Sequence, residues 1–440
     1  MLQEMGEINL HAVIMSLRSL IPGELKVALD SLLLISVEQH IVIPIAECED
    51  LVDALIDVGE DCIRQIEAKK NSGSGANKPD AVIEFDPYET MVAATREEFE
   101  SFATPSKPGS DGSTLHNLTD RLSAVTTILR NLSFYEHNQP FLAVYQTAYG
   151  FVMDVVKLLG NDGLLTSRLT AGARLGLVKD MIVILSNIAH EVRLRSSDDA
   201  KWMIALLSAF APINPVMTDN GKPKLQKVWA PYVPFKHRYL ALAVDILGKL
   251  LARESPNLVY IRAELIPATP ATAETAAPLL KKVLQLCMCT FPRLTDSQLL
   301  PRAFEVRRPV LEQSMFAAEI LAKAIVASDI PTTSSGPMQD VLHETIQALD
   351  ECVKPFLTRA AAVLQGFVAA PPPPVHGRHG STAAAAVAAA ALQSSSGDTN
   401  PFARVVRKAT SVLGMLRTAA SGEAAAKTAD VLLEVLVLRM

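Results

Sequence analysis

The chain has 440 residues, of which 49% are hydrophobic but only 5% aromatic, and its formal net charge is −6. A core built mainly from Leu, Val, Ile and Ala suits helices packed on helices, so this composition argues against an all-β sandwich. The weakly negative charge excludes an electrostatic footprint for nucleic acid that would extend over the whole chain.

Residues 1–69 are predicted to form the N-terminal helical segment. Helical spacing extends over Glu7–Ile35 with an interruption at a Pro-Gly pair, and a third helix follows over Cys48–Ala68. Residues 1–70 carry 13 acidic and five basic side chains, so this segment is acidic and a basic partner is conceivable there.

The rest of the chain divides by composition. Residues 70–113 are rich in Gly, Ser, Pro and Asn around one short amphipathic piece, which predicts a flexible linker. Residues 114–369 carry successive helical patterns and are predicted to form the helical core. Residues 370–400 are a low-complexity Pro/Ala/Ser segment, predicted to be a disordered linker because its side chains are too small to offset chain entropy. Residues 401–440 predict a C-terminal helical hairpin.

One pattern recurs near the ends of four amphipathic helices, as "ILRNL", "ILSNI", "ILGKL" and "ILAKA". Its polar fourth residue is Asn131, Asn187, Lys249 or Lys323, at separations of 56, 62 and 74 residues. These separations exceed the roughly 40 to 47 residues of armadillo and HEAT repeats. Because the helices have two apolar faces, as inner helices of a stacked array do, we expect an all-α, irregular armadillo/HEAT-like solenoid with disordered insertions.

Two interpretations of these polar positions stay open. In the first, the amide of Asn131 caps or bridges groups between repeats, because buried amides are usually satisfied locally. In the second, Asn131 and Asn187 form a ladder on a concave face that binds the backbone of an extended peptide. The four positions are therefore candidates for repeat packing or for partner binding.

No catalytic, cofactor-binding or metal-binding motif is found in the sequence. Phosphate-binding glycine loops, zinc-protease motifs and nucleophile elbows are absent, and no Cys or His set has zinc spacing. The five cysteines, including Cys287 and Cys289 on one helical pattern, are predicted to be free thiols in a reducing compartment. With no signal sequence and no uninterrupted apolar span, the chain is predicted to be a soluble intracellular protein that is not an enzyme and needs no cofactor.

One segment, Asp219–Tyr239, combines basic and aromatic side chains with prolines that oppose a helix. Its candidate contact residues are Lys222, Lys224, Lys227, Trp229, Tyr232, Phe235, Lys236 and Arg238. Such side chains can hold phosphates and stack bases. We nevertheless favour contact with protein, or anchoring of this loop on its own array, over nucleic acid.

Four segments together resemble the C-terminal armadillo-like region of the AT-rich-interaction-domain (ARID) subunit of SWI/SNF chromatin remodellers, in its fungal form. They are residues 10–36, 118–143, 169–194 and 231–257. The second and fourth are the more specific, because "ILRNLSF" before a polar turn and "AVDILGKLLAR" before "PN" are not generic helix patterns.

The resemblance implies a non-catalytic, nuclear scaffold in transcription regulation. It implies contacts with other core subunits of the complex and with the helical segment that leads to the ATPase. In this family DNA is contacted mainly by the separate ARID module, which this sequence is expected to lack as a fragment or shortened form, so direct DNA binding is doubtful. Two alternatives stay open: an armadillo-type adaptor for linear peptides, against which the irregular spacing counts, and a nucleic-acid-binding helical repeat acting through Asp219–Tyr239.

Overall fold

The computed structural model of the protein is all-helical wherever it describes regular structure. The described residues are 9–38, 40–71, 83, 85–101, 111–160, 169–212, 232–266, 270–291, 301–328, 337–350 and 403–421. No strand occurs among them. The all-α class predicted from composition and periodicity is therefore confirmed, whereas the predicted linker at 370–400 lies outside the described residues.

The chain divides into two compact units, one of residues 1–213 with 234–265 and the other of 214–233 with 266–440. The α-helices of the first unit are α1 (Leu10–Ser19), α2 (Pro22–Val37), α3 (Glu49–Asn71), α4 (Tyr88–Glu100), α5 (Asp111–Ser133), α6 (Gln139–Val144), α7 (Gln146–Leu159), α8 (Ala171–Ile188), α9 (Ser197–Ser208), α10 (Leu240–Ala252) and α11 (Val259–Leu265). Short turns of 3-10 or π type lie at Ile45–Glu47, Glu136–Asn138 and Glu254–Leu258. The second unit contains α12 (Pro270–Met288), α13 (Pro301–Val326), α14 (residues 337–350) and α15 (Ala403–Ser421).

Helix starts in the first unit follow local capping chemistry. The side chains of Asn9, Thr170 and Ser196 cap α1, α8 and α9, each accepting a backbone N–H three residues further on. Pro22 is the first residue of α2, a position where its missing N–H is not needed. The predicted break between the first two helices therefore lies where the Pro-Gly pair placed it.

Four helices of the first unit form a parallel row, in the order α2, α5, α8 and α10. Asn131 near the end of α5 meets Ser36 near the end of α2, and Asn187 near the end of α8 meets Ser133 at the end of α5. Because C-terminal ends meet C-terminal ends, these helices run in the same direction. The remaining helices cover the row: α3 packs on α5 and α7, and α9 packs on α7, α10 and α11.

The core is aliphatic, as the composition indicates, with a few large aromatic side chains fully buried. Phe151 of α7 packs against α3 at Gly59, where an added Cβ would lie 2.4 Å from the ring. Only glycine fits at this close approach of two helices. The same hypothetical Cβ would lie 3.2 Å from Val125 of α5, so the three helices converge here.

The segment predicted as a flexible linker, residues 70–113, contains the packed helix α4. Tyr88 at its start is buried, stacks on Phe210 with ring centroids 5.5 Å apart, and meets Tyr239 edge-on at 5.6 Å. Near its other end, Glu98 accepts the backbone N–H of Gly172 at 3.0 Å. The aromatic partners of Tyr88 are more than a hundred residues away in sequence, so local composition carries no signal of them.

In the second unit, polar and ionic contacts join its helices. Thr290 of the turn after α12 and Ser314 of α13 share a buried hydroxyl hydrogen bond of 2.8 Å. Lys408 of α15 bonds Glu319 of α13 at 2.5 Å. These contacts bring α12, α13 and α15 together over a core of Leu, Ala and Met side chains.

In the part of the chain that the structure describes, no single helix is both long and apolar enough to cross a bilayer. The pair Glu136–Val144 and Gln146–Leu159 meets the length and composition criteria only jointly, and the two helices are bent by 79°.

Candidate partner-binding surface

Asn131, the first of the four repeat positions, is buried with 6% exposure between α5 and α2. Its Nδ2 donates to the hydroxyl of Ser36 at 2.9 Å, and its Oδ1 accepts from the guanidinium of Arg130 at 3.1 Å. Both ends of the amide thus have partners within the protein. This geometry joins the first two helices of the row.

The next two repeat positions also join neighbouring helices of the row. Asn187 donates from Nδ2 to the hydroxyl of Ser133 at 2.8 Å, which connects α8 to α5. Lys249 donates to the carbonyl oxygen of Ser186 at 3.2 Å, which connects α10 to α8, and it pairs with Asp245 at 2.6 Å. A chain of side-chain contacts therefore follows the whole row near its C-terminal ends.

Lys323, the fourth position, lies in the second unit and behaves differently. Its ammonium group pairs with Glu319 one turn earlier on the same helix, at 2.9 Å, and its side chain is largely exposed. Glu319 also bonds Lys408, and this hydrogen bond lowers the pKa of the Glu319 carboxyl. Lys323 thus shares with Lys249 an ion pair to an acidic residue one turn earlier, but its described contacts include none to a neighbouring helix.

A buried carboxylate adds a second polar contact between α5 and α8. Asp180 of α8 accepts the hydroxyls of Thr126 and Thr127, each at 2.9 Å, and the guanidinium of Arg130 at 2.6 Å. Arg130 in turn bonds Asn131, so one hydrogen-bonded network extends from α8 through α5 to α2. Satisfied networks of this kind fix the register of packed helices.

Sequence reasoning missed two fully buried asparagines, Asn138 and Asn257, which follow α5 and α10. The side chain of Asn138 bonds the backbone of the segment after α2, and that of Asn257 bonds the backbone of the segment after α8. A signal was present: Asn138 lies two residues before a proline, and Asn257 directly follows one. An asparagine within two residues of a proline, after a helix of the row, marks both positions.

The basic and aromatic residues of Asp219–Tyr239 are only partly described. Lys222, Lys224, Lys227 and Trp229 lie outside the described residues. In the second unit, Tyr232 is buried and its backbone N–H donates to the carbonyl of Cys289. In the first unit, Lys236 forms an ion pair with Glu89, whereas Phe235 is 88% exposed.

A groove of about 340 Å³ lies between the N-terminal halves of α2 and α5. Its lining residues are Pro22, Lys26, Leu29, Asp30, Asn117, Asp120, Arg121 and Ala124. The volume is at the lower end of the roughly 300 to 1,000 Å³ of small-molecule pockets. The lining combines two acidic and two basic side chains with apolar walls.

The buried cysteines have no reactive thiolate. Burial raises the pKa of the Cys62 thiol to about 11 and that of the Cys287 thiol to about 12. Both thiols are therefore protonated at neutral pH and pack as small apolar side chains. Within the described ranges, no group of three or more His, Cys, Asp or Glu side chains is placed to hold a metal ion.

The fold and the contacts of the row define an all-α stacked-helix protein in which Asn131, Asn187 and Lys249 each bond the preceding helix of the row. No model of a known protein family matches the chain. The chain is 27% identical over 326 residues to the SWI/SNF chromatin-remodeling complex subunit sol1 of Schizosaccharomyces pombe, an alignment that covers 71% of the chain and 36% of sol1.

It is also 27% identical over 186 residues to the SWI/SNF chromatin-remodeling complex subunit SWI1 of Saccharomyces cerevisiae, covering 41% of the chain and 14% of SWI1. The homologues of the chain are thus SWI/SNF complex subunits, and the resemblance predicted from its four segments is confirmed. The chain spans about a third of the length of sol1 and a smaller share of SWI1.

Proposed function

We propose that this chain is a non-catalytic scaffold subunit of a nuclear SWI/SNF-type chromatin-remodelling complex. The observation that carries the proposal is the similarity to two SWI/SNF subunits, one of them over 71% of the chain. In this role an armadillo-like array binds other core subunits, including a helical segment leading to the ATPase, and so supports transcription regulation.

The contacts within the row suit a scaffold. The bonds from Asn131 to Ser36 and from Asn187 to Ser133, together with the network around Asp180, hold the helices in one register. A surface held in this way loses little conformational entropy when a partner binds, which favours affinity. The groove between α2 and α5 and the exposed apolar side chains of the first unit offer places for partner side chains.

The two alternatives receive less support. A peptide-binding ladder needs free amides, but the amide of Asn131 is buried and bonded to Ser36 and Arg130. For a nucleic-acid role, the described part of Asp219–Tyr239 offers the exposed Phe235, but Lys236 is paired with Glu89 and Tyr232 is buried. Both observations favour protein scaffolding.

The proposal is tested by affinity purification of the tagged full chain from nuclear extract, with high-salt washing and mass spectrometry of what remains. We expect a remodeller ATPase and its core subunits in stoichiometric amounts. A matched variant, Asp120→Lys with Lys26→Glu, reverses charges in the groove between α2 and α5 and should reduce this recovery.

The control reverses one charge away from the groove, by Glu67→Lys on the exposed side of α3. This control should recover the same subunits as the unmodified chain. Recovery of unrelated peptide cargo would instead favour the adaptor, and binding to any duplex that falls steeply with salt would favour nucleic acid. Either result would overturn the scaffold proposal.

A further inference from the structure

The contacts of the row define equivalent positions in its helices. On α5, Asn131 faces the preceding helix α2, and Ser133, two residues later, faces the following helix α8. At 100° per residue these two side chains point in nearly opposite directions. Ser36 of α2 bonds Asn131 of α5 just as Ser133 of α5 bonds Asn187 of α8, so Ser36 and Ser133 are equivalent positions. Two residues before them lie Leu34 on α2 and Asn131 on α5, which are therefore equivalent as well.

A second equivalent position lies seven residues before the first, two turns earlier on the same side of each helix. It is Asp180 on α8, where the carboxylate bonds Thr126 of α5. On α5 it is Ala124, which lines the groove shared with α2. On α2 the corresponding residue is Val27, so Val27 and Leu34 mark the side of α2 that faces away from α5.

Among the described residues, this side of α2 is apolar and exposed. Val27 is 66% exposed and Leu34 is 49% exposed, and Val37 at the end of the helix is also exposed. At the equivalent position of α5, Asn131 is buried against the preceding helix. Arrays of stacked helices normally end on a polar face, since the last face meets water. The first described helix of this row instead ends on an apolar face.

We infer that the outer face of α2, marked by Val27 and Leu34, binds an amphipathic helix of a partner protein that continues the row in parallel. The inference rests on continuity with the α2/α5 and α5/α8 contacts, which already join parallel helices through these same positions. That the partner is another remodeller subunit rests on the proposed function, whereas the face and the helical nature of its ligand do not.

The chemistry of the partner helix follows from Leu34. The Asn131 and Asn187 positions donate to a serine of the preceding helix, but Leu34 has no donor. The partner therefore presents apolar side chains opposite Leu34 and Val27, about two turns apart, in place of a hydroxyl acceptor. Exposed Lys26 and Asp30 border this stripe on the side of the groove shared with α5, and they would meet opposite charges at that edge of the contact.

Photo-crosslinking of the full chain tests the inference directly. A benzophenone amino acid is placed at position 27 or at position 34, the tagged chain is purified with its partners, and the crosslinked peptides are sequenced. We expect both positions to crosslink to one helix of another polypeptide. The two sites on that helix should lie about seven residues apart and in the same order, because the row is parallel.

Variants supply a quantitative readout. Val27→Ser with Leu34→Asn should weaken recovery of the crosslinked partner at least tenfold without lowering the melting temperature, because both side chains are exposed. Val144→Ser and Val259→Ser are controls, since they change apolar residues of α6 and α11 that are more than half exposed and lie outside the row. These controls should leave recovery unchanged.

Each other outcome overturns the inference. Crosslinks in reversed order, to a second copy of this chain, to this chain itself, or to a non-helical segment would do so. So would unchanged recovery of all partners by the double variant. If the unmodified chain recovers no remodeller subunit, the proposed function fails, but crosslinks from both positions to one helix of some other protein would still support the face on α2.

Discussion

Asn138 and Asn257 make the same pair of backbone contacts at two places in the first unit. The Oδ1 of Asn138 accepts the N–H of Ile45 at 3.2 Å, and its Nδ2 donates to the carbonyl of Ile43 at 3.0 Å. Asn257 bonds the N–H of Leu194 at 2.8 Å and the carbonyl of Val192 at 2.9 Å. Each amide thus fastens a segment that follows an earlier helix of the row.

Replacing either of these asparagines should destabilise the first unit strongly. Asn138→Ala and Asn257→Ala leave buried backbone groups without partners, and we expect a loss of about 2–4 kcal/mol each. Calorimetric melting of the purified chain measures the effect. Asn117→Ala, at an exposed position of α5, is the control and should change stability by less than about 0.5 kcal/mol. Equal effects at buried and exposed positions would contradict the bridging role.

The contact between Asn131 and Ser36 should appear as a coupling in a double-mutant cycle. Asn131→Ala and Ser36→Ala are each expected to destabilise the chain, but the double variant should lose less than the sum, by about 1 kcal/mol. Urea unfolding of the four proteins measures this difference. Additive losses would mean that the 2.9 Å contact contributes nothing to stability. Asn131→Leu should likewise destabilise the fold or leave it neutral, without removing one partner selectively.

Two glycines in helices should respond oppositely to alanine. Gly59→Ala places a Cβ against the ring of Phe151 and should destabilise the chain by about 1–3 kcal/mol. Gly176→Ala, in α8, meets nothing within 4 Å and should stabilise the chain by up to about 1 kcal/mol through helix propensity. Melting temperatures of the two variants decide the matter. Similar shifts of the same sign would rule out the close approach of α3 and α7.

Glu60 should make stability depend on pH. Burial, with Asp154 and Asp57 nearby, raises the pKa of the Glu60 carboxyl above its ordinary value of 4.5. The ionised form is therefore disfavoured in the folded state, and this cost disappears as pH falls through the folded and then the unfolded pKa.

Glu60→Gln should accordingly raise the melting temperature at pH 7, and the gain should vanish as pH falls below about 4.5. Melting curves across this pH range provide the measurement. Glu67→Gln, at an exposed position of the same helix, is the matched control and should show a smaller change. A gain for Glu60→Gln that persists at low pH would refute the electrostatic explanation.

Helix α4 should behave as part of the folded unit. Its backbone amides in residues 91–100 are expected to be protected from hydrogen exchange, because Tyr88 anchors its start on Phe210 and Tyr239. Tyr88→Ala should reduce protection in α4 far more than in α3. Rapid exchange of α4 in the unmodified chain would instead agree with a flexible linker over residues 70–113.

Much of the fold was accessible from residue patterns. Aliphatic composition and helical periodicity predicted an all-α chain, and the Pro-Gly pair at Pro22 placed the boundary between α1 and α2. The recurring "ILRNL"-type pattern located three helices of the row, because a helix that is buried on two sides must be apolar on both. These features depend on neighbours a few residues apart, which a sequence displays directly.

Other features depend on residues that meet only after folding. Nothing near Asn131 in the sequence indicates that its amide would find Ser36, 95 residues away, rather than a ligand. Likewise, the Gly- and Ser-rich surroundings of α4 conceal the aromatic contacts that hold Tyr88. Local patterning sets which surfaces of a helix are apolar. Which surfaces pair with each other depends on the path of the whole chain, so only the tertiary structure decides it.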